Sequence, residues 1–208
     1  MGGFTRADKY SPDGTGAATN GQHQAYFPAD IYNGTITLVT PTGLQLQSLP
    51  LGLFYSDGSN TVMFAELTNS VGQLISPNQV IYTNAFTGVE ADLLYTYRIG
   101  GFEQDVIFRQ QPLAPEQFGL NSADANLQLL TEFFNAPTPV ETVGPADTQD
   151  NLQDTTLTFG GMEMTHGRAF LAGSTSTAHS LYQIPVYKTW TIVDGRTFLV
   201  EQVPYSNA

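Results

Sequence analysis

The chain has no cysteine, which excludes disulfides, thiolate metal centres and cysteine nucleophiles together and leaves the interior to hold without covalent staples. Charge is scarce as well. Only 12% of its 208 residues are Asp, Glu, Lys or Arg, about half the usual share, and lysine occurs only at Lys9 and Lys188. Seven basic residues against nineteen acidic ones give a net charge of −12, with no basic stripe to reverse the field locally. Such a surface repels phosphate backbones and anionic headgroups, so no nucleic-acid or membrane-surface partner is expected. Long apolar runs are missing too. None approaches the roughly 20 residues that cross a bilayer, so membrane insertion is not expected. Met1-Gly2-Gly3 does not open a signal peptide, and an exported form is expected to carry its leader outside this sequence.

What remains is 41% hydrophobic residues set among abundant Gly, Thr, Ser, Asn and Gln. That is enough apolar surface for one well-buried core, either a large sandwich or two smaller packed units. The mixture suits many short strands joined by polar turns. Residues 1–23 are the exception, with five glycines and hardly an apolar run, too little to offset their own ordering entropy. They are expected to form an arm, either floppy or contacting a partner. Fully extended, such a segment reaches about 75 Å, far enough to lie across a neighbouring subunit.

From Tyr26 onward, strand-like runs arrive at short intervals: residues 35–40, 44–49, 52–55, 61–67 and 79–83. Turn signals separate them at Asn33-Gly34, Pro41-Thr42-Gly43 and Asp57-Gly58-Ser59-Asn60. Three hairpins then declare themselves. In the first, Ile99 is expected to face Phe102 around Gly100-Gly101, which sets Arg98 against Glu103 and Asp92 against Arg109 and lines one face with Leu93, Tyr95 and Tyr97. In the second, Leu157-Thr158-Phe159 folds through Gly160-Gly161 onto Met162-Glu163-Met164. In the third, Trp190–Val193 folds through Asp194-Gly195 onto Arg196–Leu199, placing Lys188 opposite Glu201 and Trp190 opposite Leu199. Residues 126–134 fit both a helical stripe and strand alternation, and strand is the favoured reading. Pro137, Pro139 and Pro145 mark residues 135–154 as a long Pro-rich loop or a boundary between halves of the fold.

Candidate chemistry is thin. The histidines His23, His166 and His179 belong to no nucleophile elbow, metalloprotease helix or phosphate-cradling loop. Glu66, Glu90, Asp92, Glu103, Asp105, Glu132, Glu163 and Glu201 are numerous enough to form some carboxylate pair at glycosidase spacing by chance. Asp92, Glu103 and Glu201 already have basic cross-strand partners and read as solvated ladder residues. Calcium is the cofactor the sequence best allows, through oxygens of Asp147, Asp150 and Asp154 or of Asp8 with Asp13-Gly14. Neither set matches a twelve-residue calcium loop, and spaced aspartates are more commonly just hydrated. For glycans, Trp190 with Tyr187 and Tyr205 is the ring set that would stack on a sugar face, although sheet cores also consume aromatics.

The run Val80-Ile81-Tyr82-Thr83-Asn84-Ala85-Phe86-Thr87-Gly88-Val89-Glu90-Ala91-Asp92-Leu93-Leu94-Tyr95, followed by Gly101-Phe102-Glu103-Gln104-Asp105-Val106-Ile107, resembles a packing-and-turn motif of very large secreted bacterial surface proteins. In those proteins it occupies β-rich modules beside Rhs-type, lectin-like or propeller repeats. The ending from Trp190 through Gly195 to Glu201 is similar to sequences that close such modules. Glu90-Ala91 departs from the motif by intervening between Val89 and Asp92. The resemblance implies an extracellular or cell-surface setting and carries over no catalytic residue.

The expectation is therefore an all-β chain, an antiparallel β-sandwich built from hairpins, with an arm over 1–23 and a single domain over 24–208. Its expected role is that of a non-enzymatic structural or adhesion module that pairs with itself or with neighbouring domains through sheet edges and the arm. A carbohydrate-binding module is the alternative, and a secreted hydrolase comes third.

Overall fold

The computed structural model describes residues 16–146, 153–170 and 184–205. Among them the fold is all-β, an antiparallel sandwich built from hairpins, and its helical content is two single 3-10 turns at Ile31–Asn33 and Pro115–Phe118. In chain order the strands are β1 (Gly16–Ala18), β2 (Gln24–Phe27), β3 (Ile36–Val39), β4 (Gln45–Ser56), β5 (Thr61–Glu66), β6 (Gly72–Ser76), β7 (Gln79–Tyr82) and β8 (Ala91–Arg98). There follow β9 (Gly101–Phe108), β10 (Asn126–Phe134), β11 (Val140–Ala146), β12 (Gln153–Phe159), β13 (Met162–Met164), β14 (Gly167–Ala169), β15 (Ile184–Val193) and β16 (Arg196–Pro204). The chain divides into two compact units, and β4 passes from one to the other between Pro50 and Leu51.

The first unit contains the run β1-β2-β3-β4 and the four-stranded sheet β6-β7-β8-β9. Alternation along β8 turns Leu93, Tyr95 and Tyr97 inward, where each is at most 1% exposed. Tyr95 meets Phe27 and Phe102 at ring-centroid distances of 5.7 and 5.8 Å. The hairpin register differs from the expected one by two residues: Tyr97 faces Phe102, Thr96 faces Glu103 and Arg98 faces Gly101, so Ile99-Gly100 forms the tip. A two-residue shift keeps every side chain on its face. Stacking of Phe102 on Tyr95 and its contact with Phe27 accompany this register, and both ion pairs survive as diagonals, Arg98–Glu103 at 3.1 Å and Arg109–Asp92 at 2.5 Å. Positive φ, expected of the glycine pair, occurs at neither Gly100 nor Gly101.

Asp92 is a further correction. Expected as a solvated ladder residue, it is 3% exposed because its carboxylate turns toward the loop before β8, where Oδ1 accepts the Asn84 backbone N–H at 2.8 Å and Oδ2 accepts Arg109 Nε at 2.7 Å. Asn84 sits at φ 48°, a left-handed conformation held by that bond.

Of the expected arm, residues 1–15 lie outside the described set, while residues 16–18 form β1, paired with β2 through Gly16↔Phe27 and Ala18↔Ala25. Small side chains let the strand approach closely, and Ala18 is fully buried. The chain then crosses Tyr97, whose hydroxyl donates to the His23 carbonyl at 2.5 Å. A Cβ on Gly21 would fall 2.0 Å from that hydroxyl, so the crossing requires glycine.

In the second unit β10, β16, β15 and β14 lie side by side, and β11-β12-β13 form a separate sheet. Here two hairpins match the sequence reading residue for residue. Phe159 faces Met162 and Leu157 faces Met164, with Gly160 at φ 63°. Lys188 faces Glu201 and Trp190 faces Leu199, with Asp194 at φ 51° and Gly195 at φ 77° forming a primed turn. Residues 126–134 are strand, as favoured. The long loop expected over 135–154 is interrupted by β11, which pairs with β12 from Val140↔Thr158 to Ala146↔Gln153 across an irregularity after Val143. Pro145 fits there because β11 is a terminal strand and proline is tolerated on an edge.

Candidate functional site

The side chains of greatest chemical interest meet between β12 and β15 of the second unit. Lys188, one of two lysines in the chain, shares the Trp190 face of β15 by strand alternation, and its side chain is 3% exposed. Its ammonium donates to Asp154 Oδ1 at 2.6 Å, and its backbone N–H donates to the same oxygen at 3.2 Å. The other carboxylate oxygen, Oδ2, meets His166 Nδ1 at 2.5 Å. His166 lies in the short connection between β13 and β14, with 63% of its side chain exposed. Burial alone would push the Asp154 carboxyl up, but the hydrogen bonds and charges of Lys188 and His166 outweigh it and hold the group below the usual carboxylate range.

This arrangement redistributes the expected site residues. Lys188 and Glu201 are cross-strand neighbours as read from sequence, yet the lysine's ammonium reaches across to Asp154. Of the three candidate calcium ligands, Asp147 and Asp150 lie outside the described residues, as do Asp8, Asp13 and His179. Asp154 is engaged as just described. Among the described residues no group of three or more His, Asp or Glu side chains gathers in a way that could hold a metal ion.

The three rings proposed for a sugar face are not gathered on one open surface. Tyr187 is 4% exposed and Trp190 9%, with the Trp190 ring set edge-on to Phe159 at 5.4 Å. Tyr205 stands elsewhere in the unit, edge-on to Tyr55 at 5.5 Å, with its N–H on the Ala125 carbonyl. Tyr55 also stacks on Phe64 at 4.3 Å and donates its hydroxyl to the Leu113 carbonyl. Burial, reinforced by Tyr205, pushes the Tyr55 phenol well above its ordinary range.

Two more buried carboxylates serve as anchors. Glu132 is 7% exposed and grips Arg196 in a two-point fork, Nε to Oε1 at 2.7 Å and an amino nitrogen to Oε2 at 2.6 Å. The guanidinium also lies 5.1 Å from the Phe198 ring centre. Asp92 is the other, in the first unit. The Lys188–Asp154 contact escapes a sequence reading because 34 residues separate its members. One signal does point to it: a lysine on the same strand face as Trp190 must either reach solvent or find a buried acid.

No family model, curated protein or solved structure matches the chain. Among the described residues no helix is long and apolar enough to cross a membrane.

Proposed function

We propose that the protein is a non-enzymatic structural or adhesion module of a bacterial extracellular or cell-surface protein, assembling with itself or with neighbouring domains through its sheet edges. One observation carries this reading. The buried carboxylates Asp92 and Glu132 and the largely enclosed Asp154 are each committed to a basic partner, and Asp92 and Asp154 also hold backbone N–H groups, so these three acids act as tie points of a scaffold.

The terminal strands supply the surface. β6 carries no charged residue and exposes Ile75, beyond the Val71 and Gly72 end that already bonds to Asp30 and Ala29, while β11 exposes Val140 and Val143. Both strands lack lysine, whose charge commonly blunts exposed edges. In a chain of net charge −12, copies approach most readily where charge is absent. The extracellular setting rests on the resemblance of residues 80–107 to modules of large secreted proteins. Light scattering of the full chain over a wide concentration range tests the reading. Assembly that Ile75→Lys or Val140→Lys disperses is expected, and a monomer at every concentration refutes self-assembly.

A further inference from the structure

Lys188 and Asp154 present an amine and a carboxyl group pressed together with little water around them. The lysine side chain is 3% exposed and the aspartate 12%, and Nζ lies 2.6 Å from Oδ1. The lysine's own N–H bonds to the same oxygen, so the carboxylate is steered toward Lys188 from two directions. An exposed imidazole, His166, sits on the opposite oxygen. Ion pairs that serve stability alone gain little from burial, because desolvation offsets the attraction. Once it gives up a proton, the enclosed lysine amine is a nucleophile held beside a carboxyl carbon, and such confinement is worth an effective concentration of about 10⁵ to 10⁸ M in favourable geometries.

We propose that Lys188 and Asp154 condense into an intramolecular amide, a covalent tie between β15 and β12. One proton passes from the Lys188 ammonium to the Asp154 carboxylate across their hydrogen bond, leaving a neutral amine and a neutral acid. Nζ attacks Cγ and the Nζ–Cγ bond forms. The Cγ–Oδ2 bond then breaks, and Oδ2 departs as water with two of the three protons that Nζ first carried. His166, bound to Oδ2, relays a proton to the departing oxygen. In sum, one ammonium and one carboxylate become one amide and one water, with no oxidant or reductant and no change in net charge. The product closes residues 154–188 into a ring and joins a strand of the β11-β12-β13 sheet to the sheet that contains β15. For a chain without cysteine, it supplies a cross-link by other means. The tie does not depend on the assembly proposed above.

Mass spectrometry of the denatured full-length chain is the test. The expected mass is that of the sequence less one water, and a digest is expected to yield a branched peptide joining Lys188 to Asp154. Succinimides at Asp13-Gly14, Asp57-Gly58 or Asp194-Gly195 would also lose water, but hydroxylamine opens them and leaves an amide intact. A chain of full mass overturns the proposal, as does a water loss that hydroxylamine reverses or that persists in Lys188→Arg. Should Lys188→Arg fail to fold, the branched peptide from the unaltered chain still decides the matter. His166→Ala removes an exposed ring and is expected to slow the appearance of the lighter species. An unchanged rate overturns the relay assigned to His166.

Discussion

Replacing Asp92 by alanine removes a side chain that joins the loop before β8 to Arg109, just past β9. The carboxylate is nearly fully buried but its partners are not: Arg109 is half exposed, and Asn84 stands at the surface. Water can therefore solvate the guanidinium once the acid is gone, so losing the Arg109–Asp92 pair itself adds only about 1 kcal/mol to the cost of Asp92→Ala. The larger share comes from the Asn84 N–H, which loses a charged acceptor worth about 1.5 to 3 kcal/mol. Asn84 also loses the bond that holds it at φ 48°, a left-handed conformation that asparagine tolerates better than most residues, so this adds little. Asp92→Ala is thus expected to cost about 2 to 3 kcal/mol, and Asp92→Asn, which keeps an acceptor for Asn84, about 1 kcal/mol. Arg109→Ala should cost least, because truncating this half-exposed side chain opens Asp92 Oδ2 to water. Urea unfolding followed by circular dichroism measures the ranking, and hydrogen exchange at the Asn84 amide reports the lost bond directly. If Arg109→Ala destabilises as much as Asp92→Ala, the ion pair rather than the backbone cap does the holding, and the reasoning is refuted.

Two further expectations concern the first unit's histidine and the chain's turns. His23 packs against Tyr97 at 4.6 Å, and burial holds its imidazole below the ordinary value near 6.5, outweighing a backbone hydrogen bond at Gly101 that acts the other way. The unfolded chain therefore takes up a proton that the folded chain resists, so this contribution to stability is present above pH 6.5 and is lost as pH falls below it. Denaturation midpoints measured from pH 7.5 to 5 should decline less steeply in His23→Gln, and identical slopes would rule out His23 as a source. At the turns, Gly195→Ala places a side chain at φ 77° and should cost about 1 to 2 kcal/mol. Gly100→Ala meets open space without a positive φ and should be near neutral, so equal costs at the two sites would contradict the turn geometry.

The two hairpins of the second unit were legible because Gly160-Gly161 and Asp194-Gly195 each permit one tip, and the flanking residues pair in only one sensible way around it. The first hairpin adopts a register two residues from the one its local pattern suggests. Tips at Ile99-Gly100 and Gly100-Gly101 leave the same side chains inside and the same charges within reach, so the local pattern cannot separate them. Rings brought from elsewhere, above all Phe27, accompany the register adopted. β11 stayed hidden because its prolines and valines read as a loop until β12 supplies a partner.

Alternation and turn chemistry are short-range properties, carried by neighbours in the chain, and they suffice to establish an antiparallel β-protein without cysteine and with an acidic surface. Which buried acid meets which base is a different kind of fact. Asp154 and Lys188, Glu132 and Arg196, and Tyr97 and the His23 carbonyl are dozens of residues apart, and nothing local favours these partners over others. Their pairing is decided only when sheets stack and the groups lose water together, for at that point each buried charge or hydroxyl must bond to whatever the packing has placed beside it.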